Sequence, residues 1–230
     1  MAGVSRLQYS SEIRLVRVMC SGRIDLGYVL RAFSNGNDGV FIGGCRLNEC
    51  NYVTHGNYDA LAVAQICRKL MARVGLDPKR LHVAFMSGGD GNILAEEISS
   101  FTKRIKELGP LGAAEGIDAE QLALRLEAAS RLVPFLRLVE RERLRAPVKS
   151  KEAYEAFYAS AEVERLFDEI VGEKLAVSQI LLLLGKGPLS TGEISAKLAL
   201  SPSQVAKHMG SSSRHGLVRY DVEGKRYSLA

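Results

Sequence analysis

The sequence lacks the long apolar runs that membrane proteins need. None reaches the roughly 18 residues of a transmembrane helix, and the short run Ile180 to Leu184 is typical of a buried core segment. The first residues also lack the apolar stretch of about 7 to 15 residues that marks a secretory signal. We therefore expect a cytoplasmic protein with no membrane span.

Motifs for independent catalysis are also missing. No two of the four histidines have the helical spacing of a metal site, and no Ser/His/Asp arrangement can be found, so hydrolytic catalysis has no support. The turn Ser87 to Gly91 follows a predicted strand and opens a helix, as phosphate-binding loops do. Without a G-x-G-x-x-G pattern or a P-loop lysine, a capped turn is the favoured interpretation.

Cysteine is scarce, and its placement is informative. The chain has four cysteines in 230 residues, and Cys45 and Cys50 have C-x4-C spacing. In a reducing compartment and a chain this long, that pattern favours metal or redox chemistry over a disulfide framework. The net charge of +5 permits nucleic-acid binding but does not require it.

Two short apolar runs each end near cysteine. Ile13 to Met19 leads into Cys20, and Gly39 to Ile42 leads through two glycines into Cys45, with Cys50 five positions on. Runs rich in Val and Ile that are closed by Gly or Ser predict buried strands. The carboxyl ends of parallel strands meet at the edge where α/β sheets bind ligands. The sequence therefore predicts three thiols in one crevice, which suggests a metal site.

Helices are predicted to alternate with these strands. Asp25 can cap a helix over Leu26 to Phe33, and further helices are predicted over Tyr58 to Val74 and Ile93 to Leu108, with a third strand at Leu81 to Phe85. Residues 1–112 therefore predict a small three-layer α/β domain with a parallel sheet. The polar loop 43–56, which holds Cys45, Cys50, Tyr52 and His55, is long enough to be functional.

The rest of the chain has a different pattern. Residues 113–172 predict a helical connector, with helices over Asp118 to Val133, Phe135 to Leu144 and Lys151 to Val171. Residues 173–230 predict a helix over Ala176 to Leu184, two short helices over Thr191 to Leu198 and Pro202 to about Ser213, and then two strands. The segments LSTGEISAKLALSPSQVAKHM and HGLVRYDVEGKRYSL resemble the winged helix-turn-helix of bacterial and archaeal regulators.

Such a fold binds DNA through its second helix and its wing. The expected readers of bases and phosphates are Ser203, Gln204, Lys207 and His208, and Lys225 and Arg226 of the wing would contact the backbone. Docking of another protein is the competing role. The end of the helix, Gly210 to Ser213, is weak helical sequence, and a fold alone does not give function. DNA is therefore a less favoured partner.

Four segments carry a more specific resemblance: RLQYSSEIRLVRVMCSGRIDLGYVLRAF, DGVFIGGCRLNECNY, HGNYDA and LDPKRLHVAFMSGGDGNILAEEISSFTKRIKELGP. Over about residues 3 to 110 they resemble the iron-sulfur delta subunit of methyl-viologen-reducing hydrogenase, a family also found with heterodisulfide reductases. The resemblance implies a 2Fe-2S cluster with Cys20, Cys45 and Cys50 as metal ligands. Arg23, which also matches a family motif, is expected to contact or tune the cofactor.

The resemblance also implies partners. The family relays electrons from a hydrogenase or formate dehydrogenase to the flavin of a heterodisulfide reductase A-type subunit, in an electron-bifurcating complex. The first hypothesis is therefore a non-catalytic electron-transfer subunit of such an oxidoreductase complex. The alternative is a redox-sensing, DNA-binding regulator that uses the C-terminal winged helix, and salt-dependent binding to duplex DNA would favour it.

The sequence departs from the family at several positions. The family begins with a further strand and a Cys-x-x-Cys turn about a dozen residues before the match at Leu7, Asn51 replaces a frequent His, and Arg46-Leu47 replaces His-Pro. A 2Fe-2S cluster needs four ligands, and the motifs supply three. Cys67 lies on the core stripe of its helix and is predicted to be structural.

Three explanations of the incomplete ligand set remain open. The sequence begins too late, a partner supplies the fourth ligand, or the cluster is lost and the domain only docks. We favour the first, which an upstream in-frame Cys-x-x-Cys would support.

Overall fold

The computed structural model describes residues 8–52 and 56–230. Predictions for His55 and for residues 1–7 lie outside the described residues. The helices are α1 Leu26–Ser34, α2 Asn57–Arg73, α3 Gly91–Leu108, α4 Ala119–Arg131, α5 Val133–Arg143, α6 Lys151–Ala159, α7 Ala161–Phe167, α8 Glu173–Leu184, α9 Thr191–Leu198 and α10 Pro202–Arg214. The strands are β1 Val40–Gly44, β2 Leu81–Phe85, β3 Val218–Asp221 and β4 Arg226–Leu229.

The first sheet is a parallel pair with helices on both faces. β1 and β2 run in register from Val40 opposite Leu81 to Gly44 opposite Phe85. Ile42 and Leu81 point into the core built around α1 and α2. On the opposite face, the rings of Phe41 and His82 pack against Phe101 of α3. The predicted mixed α/β class with a parallel sheet is confirmed for this pair of strands.

The strand predicted at Ile13–Met19 is wrong. The structure has no strand there, and the side chains of Val16 and Met19 are 82% and 93% exposed. A cavity of about 880 Å³ is lined both by this segment and by β1. An apolar run becomes a strand only when a neighbouring strand pairs with its backbone, and across this cavity β1 does not.

Helix α1 shows how the short elements are fixed. The Asp25 carboxylate accepts a hydrogen bond from the Gly27 N–H at 2.8 Å, which confirms the predicted cap. The same carboxylate accepts two hydrogen bonds from Arg137 of α5, at 2.7 and 2.8 Å. The cap therefore also joins α1 to the helices that follow the sheet.

One buried cation joins the segments at the amino end of the sheet. Arg80 is fully buried immediately before β2. Its guanidinium donates to the carbonyls of Asp38 and Gly109, at 3.0 and 2.9 Å, and to the Glu115 carboxylate at 2.6 Å. Arg80 thereby binds together the segment before β1, the end of α3 and the loop before α4.

The segment predicted as a connector packs closely on α1 and α2. Leu126, Leu136, Tyr158 and Phe167 belong to the same hydrophobic cluster as the core of the sheet. The helix predicted over Lys151–Val171 is wrong as a single element. It breaks at Ser160, whose backbone is extended and whose hydroxyl caps α7.

The last part of the chain has a second hydrophobic cluster. It forms where α8, α9 and α10 meet β3, around Ile180, Ile194, Val205, Met209 and Val218. β3 and β4 form an antiparallel hairpin. Capping boxes begin α9 and α10, at Ser190 and Ser201. The winged-helix class and the boundaries after residues 112 and 172 stay predictions.

Among the helices of the described part of the chain, none is long and apolar enough to cross a bilayer.

Candidate metal centre

Three of the four cysteines line one cavity at the carboxyl end of the sheet. Cys20 precedes a 3-10 turn over Ser21–Arg23, Cys45 directly follows β1, and Cys50 lies in the loop before α2. Cys45 is exposed, and the other two are half-buried. The Cys50 sulfur is within hydrogen-bonding reach of both Cys45 and Cys20. The structure therefore brings together the thiols that the sequence predicted to meet.

Helix α2 begins at this cluster and organises it. Asn57, its first residue, is almost completely buried. The Asn57 side-chain amide donates to the carbonyls of Cys45 and Arg46 at 2.9 and 2.7 Å, and its Nδ2 lies 3.7 Å from the Cys45 sulfur. Sequence reasoning gave Asn57 no role, although Asn57 lies in the segment HGNYDA that carries the family resemblance.

The backbone around Cys50 favours its thiolate. Burial disfavours the charged form, but the backbone N–H groups of Asn57 and Tyr52 donate to the sulfur, and together with the neighbouring thiols they lower the pKa of Cys50. The start of a helix adds a positive potential. Partial desolvation by the surrounding chain and the neighbouring Cys50 and Cys20 instead raise the pKa of Cys45. Of these two thiols, Cys50 is the one prepared to ionise first.

Glycines permit the close approach of the cysteine segments. A Cβ on Gly22 would lie 2.6 Å from the Gly56 carbonyl oxygen. A Cβ on Gly56 would lie 2.5 Å from the Cys50 sulfur, and one on Gly44 would lie 2.8 Å from the Ser21 hydroxyl. Any side chain at these positions would push the Cys20 turn, β1 and the start of α2 apart.

One buried polar atom at the site has no hydrogen-bond partner among the described residues. It is the hydroxyl oxygen of Ser21, next to Cys20. Ser21 lines the same cavity as the thiols. An unpartnered buried hydroxyl costs free energy, so its position beside the thiols indicates a group that completes the site.

Arg23 and Cys67 occupy very different positions. Arg23 closes the 3-10 turn after Cys20, and its side chain is exposed. Cys67 is fully buried in the middle of α2, where burial raises the pKa of its thiol to about 12. Its neighbours are the apolar residues of the main core. The structure therefore separates Cys67 from the other three thiols, in agreement with a structural role.

The donor set fits an iron-sulfur cluster in kind but not in number. Within residues 8–52 and 56–230, no group of three His, Cys, Asp or Glu side chains is arranged to hold a metal ion. A 2Fe-2S cluster divides four thiolates between two irons, so its ligands need not converge on one point. Three adjacent thiols with N–H donors on one sulfur fit that chemistry, and a cluster held here would need a fourth ligand from outside these three thiols.

The residues predicted to read DNA are only partly free. Lys207 forms an ion pair with Glu173 of α8, and the Gln204 side chain accepts a hydrogen bond from the Ser201 N–H in the capping box. Arg226 donates to Glu193 and to the Pro188 carbonyl, at 3.1 and 3.0 Å. Ser203 is exposed. Gln204, Lys207 and Arg226, three of the six residues predicted to contact DNA, therefore have partners within the chain.

Comparison with known proteins gives matches for the N-terminal part of the chain. Residues 1–109 match the family model described as methyl-viologen-reducing hydrogenase, delta subunit. The iron-sulfur D subunit of the F420-non-reducing hydrogenase of Archaeoglobus profundus is 40% identical over 110 residues, which cover 48% of this chain and 80% of that protein. The corresponding vhu iron-sulfur D subunit of Methanococcus maripaludis is also 40% identical over 110 residues and is covered to 81%.

A second kind of relative is much longer. The A subunit of the ferredoxin:CoB-CoM heterodisulfide reductase of Methanosarcina mazei is 41% identical over 113 residues. The match covers 49% of this chain but only 14% of that protein.

Proposed function

We propose, since this chain belongs to the family of methyl-viologen-reducing hydrogenase delta subunits, that it passes electrons through a 2Fe-2S cluster held by Cys20, Cys45 and Cys50. The chain is a subunit of a redox complex related to hydrogenases and heterodisulfide reductases. It performs no substrate chemistry of its own. It holds the cluster at a fixed place between an electron donor and an electron acceptor.

The observation that carries the proposal is the environment of the Cys50 sulfur. Two backbone N–H groups and two neighbouring thiols surround it at the start of α2. Hydrogen bonds to cluster sulfurs and cysteine thiolates, together with local charge, tune the reduction potential of an iron-sulfur cluster. A purely structural cysteine does not need this environment, as the burial of Cys67 in apolar surroundings illustrates.

Each part of the chain has its own task at the site. When bound, the cluster supplies one-electron redox chemistry. Asn57 fixes the loop at Cys45 and Arg46 through its carbonyl contacts, so the thiols stay in place. The glycine contacts between Gly22 and Gly56 bring Cys20 beside Cys50. Arg23 places a positive charge next to Cys20, which favours the reduced state of the cluster.

The cavity beside the thiols is the place from which the fourth ligand would reach the cluster. The exposed apolar segment around Val16 and the open edge of β1 both line this cavity. An extended segment parallel to β1 would have its carboxyl end beside Cys45, so a cysteine at that end would complete the set. Such a segment would also give Ile13–Met19 the neighbour it needs to pair as a strand.

The partner that accepts the electrons is a heterodisulfide reductase A-type flavoprotein. In Methanosarcina mazei the segment related to this domain is itself part of the A subunit of such a reductase. Two modules joined in one polypeptide in one organism are good candidates for a complex of separate chains in another. The electron donor is a hydrogenase or formate dehydrogenase-type subunit.

The test is anaerobic purification of the native complex with the Cys45→Ser variant of this chain. The unaltered complex should contain iron, acid-labile sulfide and visible charge-transfer bands that belong to this subunit. The variant should lose or distort these bands, because a hydroxyl is a much poorer ligand than thiolate for such iron. Electron paramagnetic resonance of the reduced complex follows the same signal.

Cys67→Ala is the matched control. It removes a thiol from the same chain but from the apolar core, so the spectrum should stay intact, at a cost of about 1 kcal/mol in the free energy of unfolding. Loss of the signal in Cys67→Ala together with its retention in Cys45→Ser would overturn the ligand assignment. Full assembly without iron in this subunit would overturn the proposed relay.

A further inference from the structure

A groove runs along the outer edge of the first sheet. Within the described ranges 8–52 and 56–230, β2 is paired on one side only, with β1. On its other side, residues His82–Phe85 line a cavity of about 520 Å³. The walls include Leu61 and Arg68 of α2 on one side and Ile93 and Glu97 of α3 on the other. A groove of this shape, with an open strand as its floor, fits an extended polypeptide.

The floor of the groove carries unpaired backbone groups. The Met86 N–H donates to the Gly44 carbonyl at 2.9 Å, which sets the pattern of pairing between β2 and β1. Because a strand's backbone groups alternate between its two edges, those of Val83 and Phe85 point away from β1. In the described part of the chain they make no hydrogen bond outside the sheet.

This edge is also unprotected. Natural sheets usually block an open edge with a proline, a bulge or an inward-pointing lysine, and β2 reads Leu-His-Val-Ala-Phe. Among the described residues, the one outward-facing carbonyl of β2 with a partner is that of Leu81, which accepts hydrogen bonds from Arg68 at 3.1 and 3.3 Å. The remainder of the edge is free to accept another strand.

Charge indicates the kind of strand. Arg68 lies partly buried at the Leu81 end of the groove, and no carboxylate among the described residues lies within ion-pair distance of it. Burial lowers the pKa of its guanidinium, and Arg104 adds to this effect, while Glu155, which also lines the groove, opposes it without forming an ion pair with Arg68. A partly buried cation without a close counter-charge is costly, so a carboxylate placed here would be favoured.

We propose that an extended acidic segment of the flavoprotein partner adds to β2 as a third strand and places a carboxylate against Arg68. This inference rests on the proposed function, because it names the surface through which the redox subunit joins its acceptor. The backbone of Val83 and Phe85 supplies the hydrogen bonds, and Arg68 selects the register. The groove reaches Arg46 and Leu47, directly after Cys45, but it shares no lining residue with the thiol cavity, so binding and cluster content are measured as two separate quantities.

Residue-resolved hydrogen exchange on the full chain tests the proposal, alone and within the purified complex. The Val83 and Phe85 amides should exchange quickly in the free chain and be protected in the complex. The Ala84 amide, which faces β1, should be protected in both. Equal exchange of Val83 and Phe85 in the two samples would overturn the proposal.

Two variants should weaken assembly without changing the thiol site. Val83→Pro removes an outward N–H and leaves the bonds to β1 intact, and Arg68→Glu reverses the selecting charge. Each should weaken binding of the purified flavoprotein subunit about tenfold or more, measured by interferometry with the iron spectrum unchanged. Lys103→Glu is the matched charge reversal on the exposed face of α3 and should bind normally.

Other results separate the two proposals. If the complex forms with its iron signal but β2 stays unprotected, the groove proposal fails and the proposed function stands. If the chain associates with no redox subunit, both fail. If the isolated chain sediments as a dimer with Val83 and Phe85 protected, the occupant is a second copy, and the flavoprotein strand is overturned.

Discussion

The two ends of the first sheet both contain buried polar groups, but only one end satisfies them. At the amino end, all five N–H donors of the Arg80 guanidinium are used by Asp38, Gly109, Pro110 and Glu115. At the carboxyl end, the Ser21 hydroxyl has no partner among the described residues. The thiols there contact one another and open into a cavity.

The difference separates stability from function within one small sheet. A polar network that is complete inside the chain holds segments together and leaves nothing for a ligand. An incomplete network next to groups that can coordinate iron leaves polar atoms and thiols available to a bound cofactor. Breaking the amino end should therefore affect folding, and breaking the carboxyl end should affect the cofactor.

Arg80→Met should have the largest effect on stability. It leaves the Glu115 carboxylate, whose side chain is 11% exposed, without its partner. Removing one member of a buried ion pair costs about 3 to 5 kcal/mol, which urea unfolding would measure. The iron content per folded molecule should not change.

The double variant Arg80→Met with Glu115→Gln serves as the control for that loss. If the pair itself carries the effect, the second substitution should recover part of the lost stability. Purely additive losses would show that Arg80 acts through its carbonyl contacts alone.

Gly56→Ala should show the opposite profile at the carboxyl end. Its Cβ would lie 2.5 Å from the Cys50 sulfur and 2.7 Å from the Tyr52 carbonyl oxygen. Overpacking of this kind costs about 1 to 3 kcal/mol, but the displaced Cys50 should reduce iron content more than stability. Gly89→Ala, where the added Cβ meets nothing within 4 Å, is the control and should be neutral in both assays.

How well the sequence predicted these two ends depended on the distance between interacting residues. Asp25 as the cap of α1 was predicted because the partner N–H, that of Gly27, lies only two residues away. The meeting of the three thiols was predicted from a rule about strand ends, which holds for Cys45 after β1 but not for Cys20, and from the family motifs.

The contacts that the sequence did not predict are long-range. The approach of Gly22 to Gly56 joins residues 34 positions apart along the chain, and no local pattern reports it. The strand expected at Ile13–Met19 failed for a related reason, since an apolar run encodes the tendency to pair but not the presence of a partner. The helix predicted over Lys151–Val171 breaks at Ser160, because the Ser160 hydroxyl accepts a hydrogen bond from the Val163 N–H. This cap competes with continuation of the helix.

Acid should weaken the amino end before it affects the core. Burial alone would raise the pKa of Glu115, but hydrogen bonds from Arg80 and from the Asp77 and Gly112 N–H groups hold it below the usual value of 4.5. A lowered folded pKa contributes stability that is fully present above pH 4.5 and is lost as the pH falls through the folded pKa. Unfolding measured between neutral pH and about pH 3 should show this loss, and Glu115→Gln should flatten the pH dependence.

Arg23→Gln should have the smallest effect and should sharpen the account of the carboxyl end. Arg23 is exposed at the end of the turn that follows Cys20, so its loss should leave folding and iron content unchanged. A positive charge near a cluster stabilises the reduced state, which carries one more negative charge, so its removal should lower the reduction potential. Solvent screens an exposed charge, so the shift in reduction potential should be small and should shrink further at high salt.

Redox titration of the native complex at two ionic strengths measures the shift in potential and its dependence on salt, with Arg17→Gln as an exposed control on the preceding segment. An unchanged potential at low salt would remove Arg23 from the site and leave the tuning to the N–H groups at Cys50.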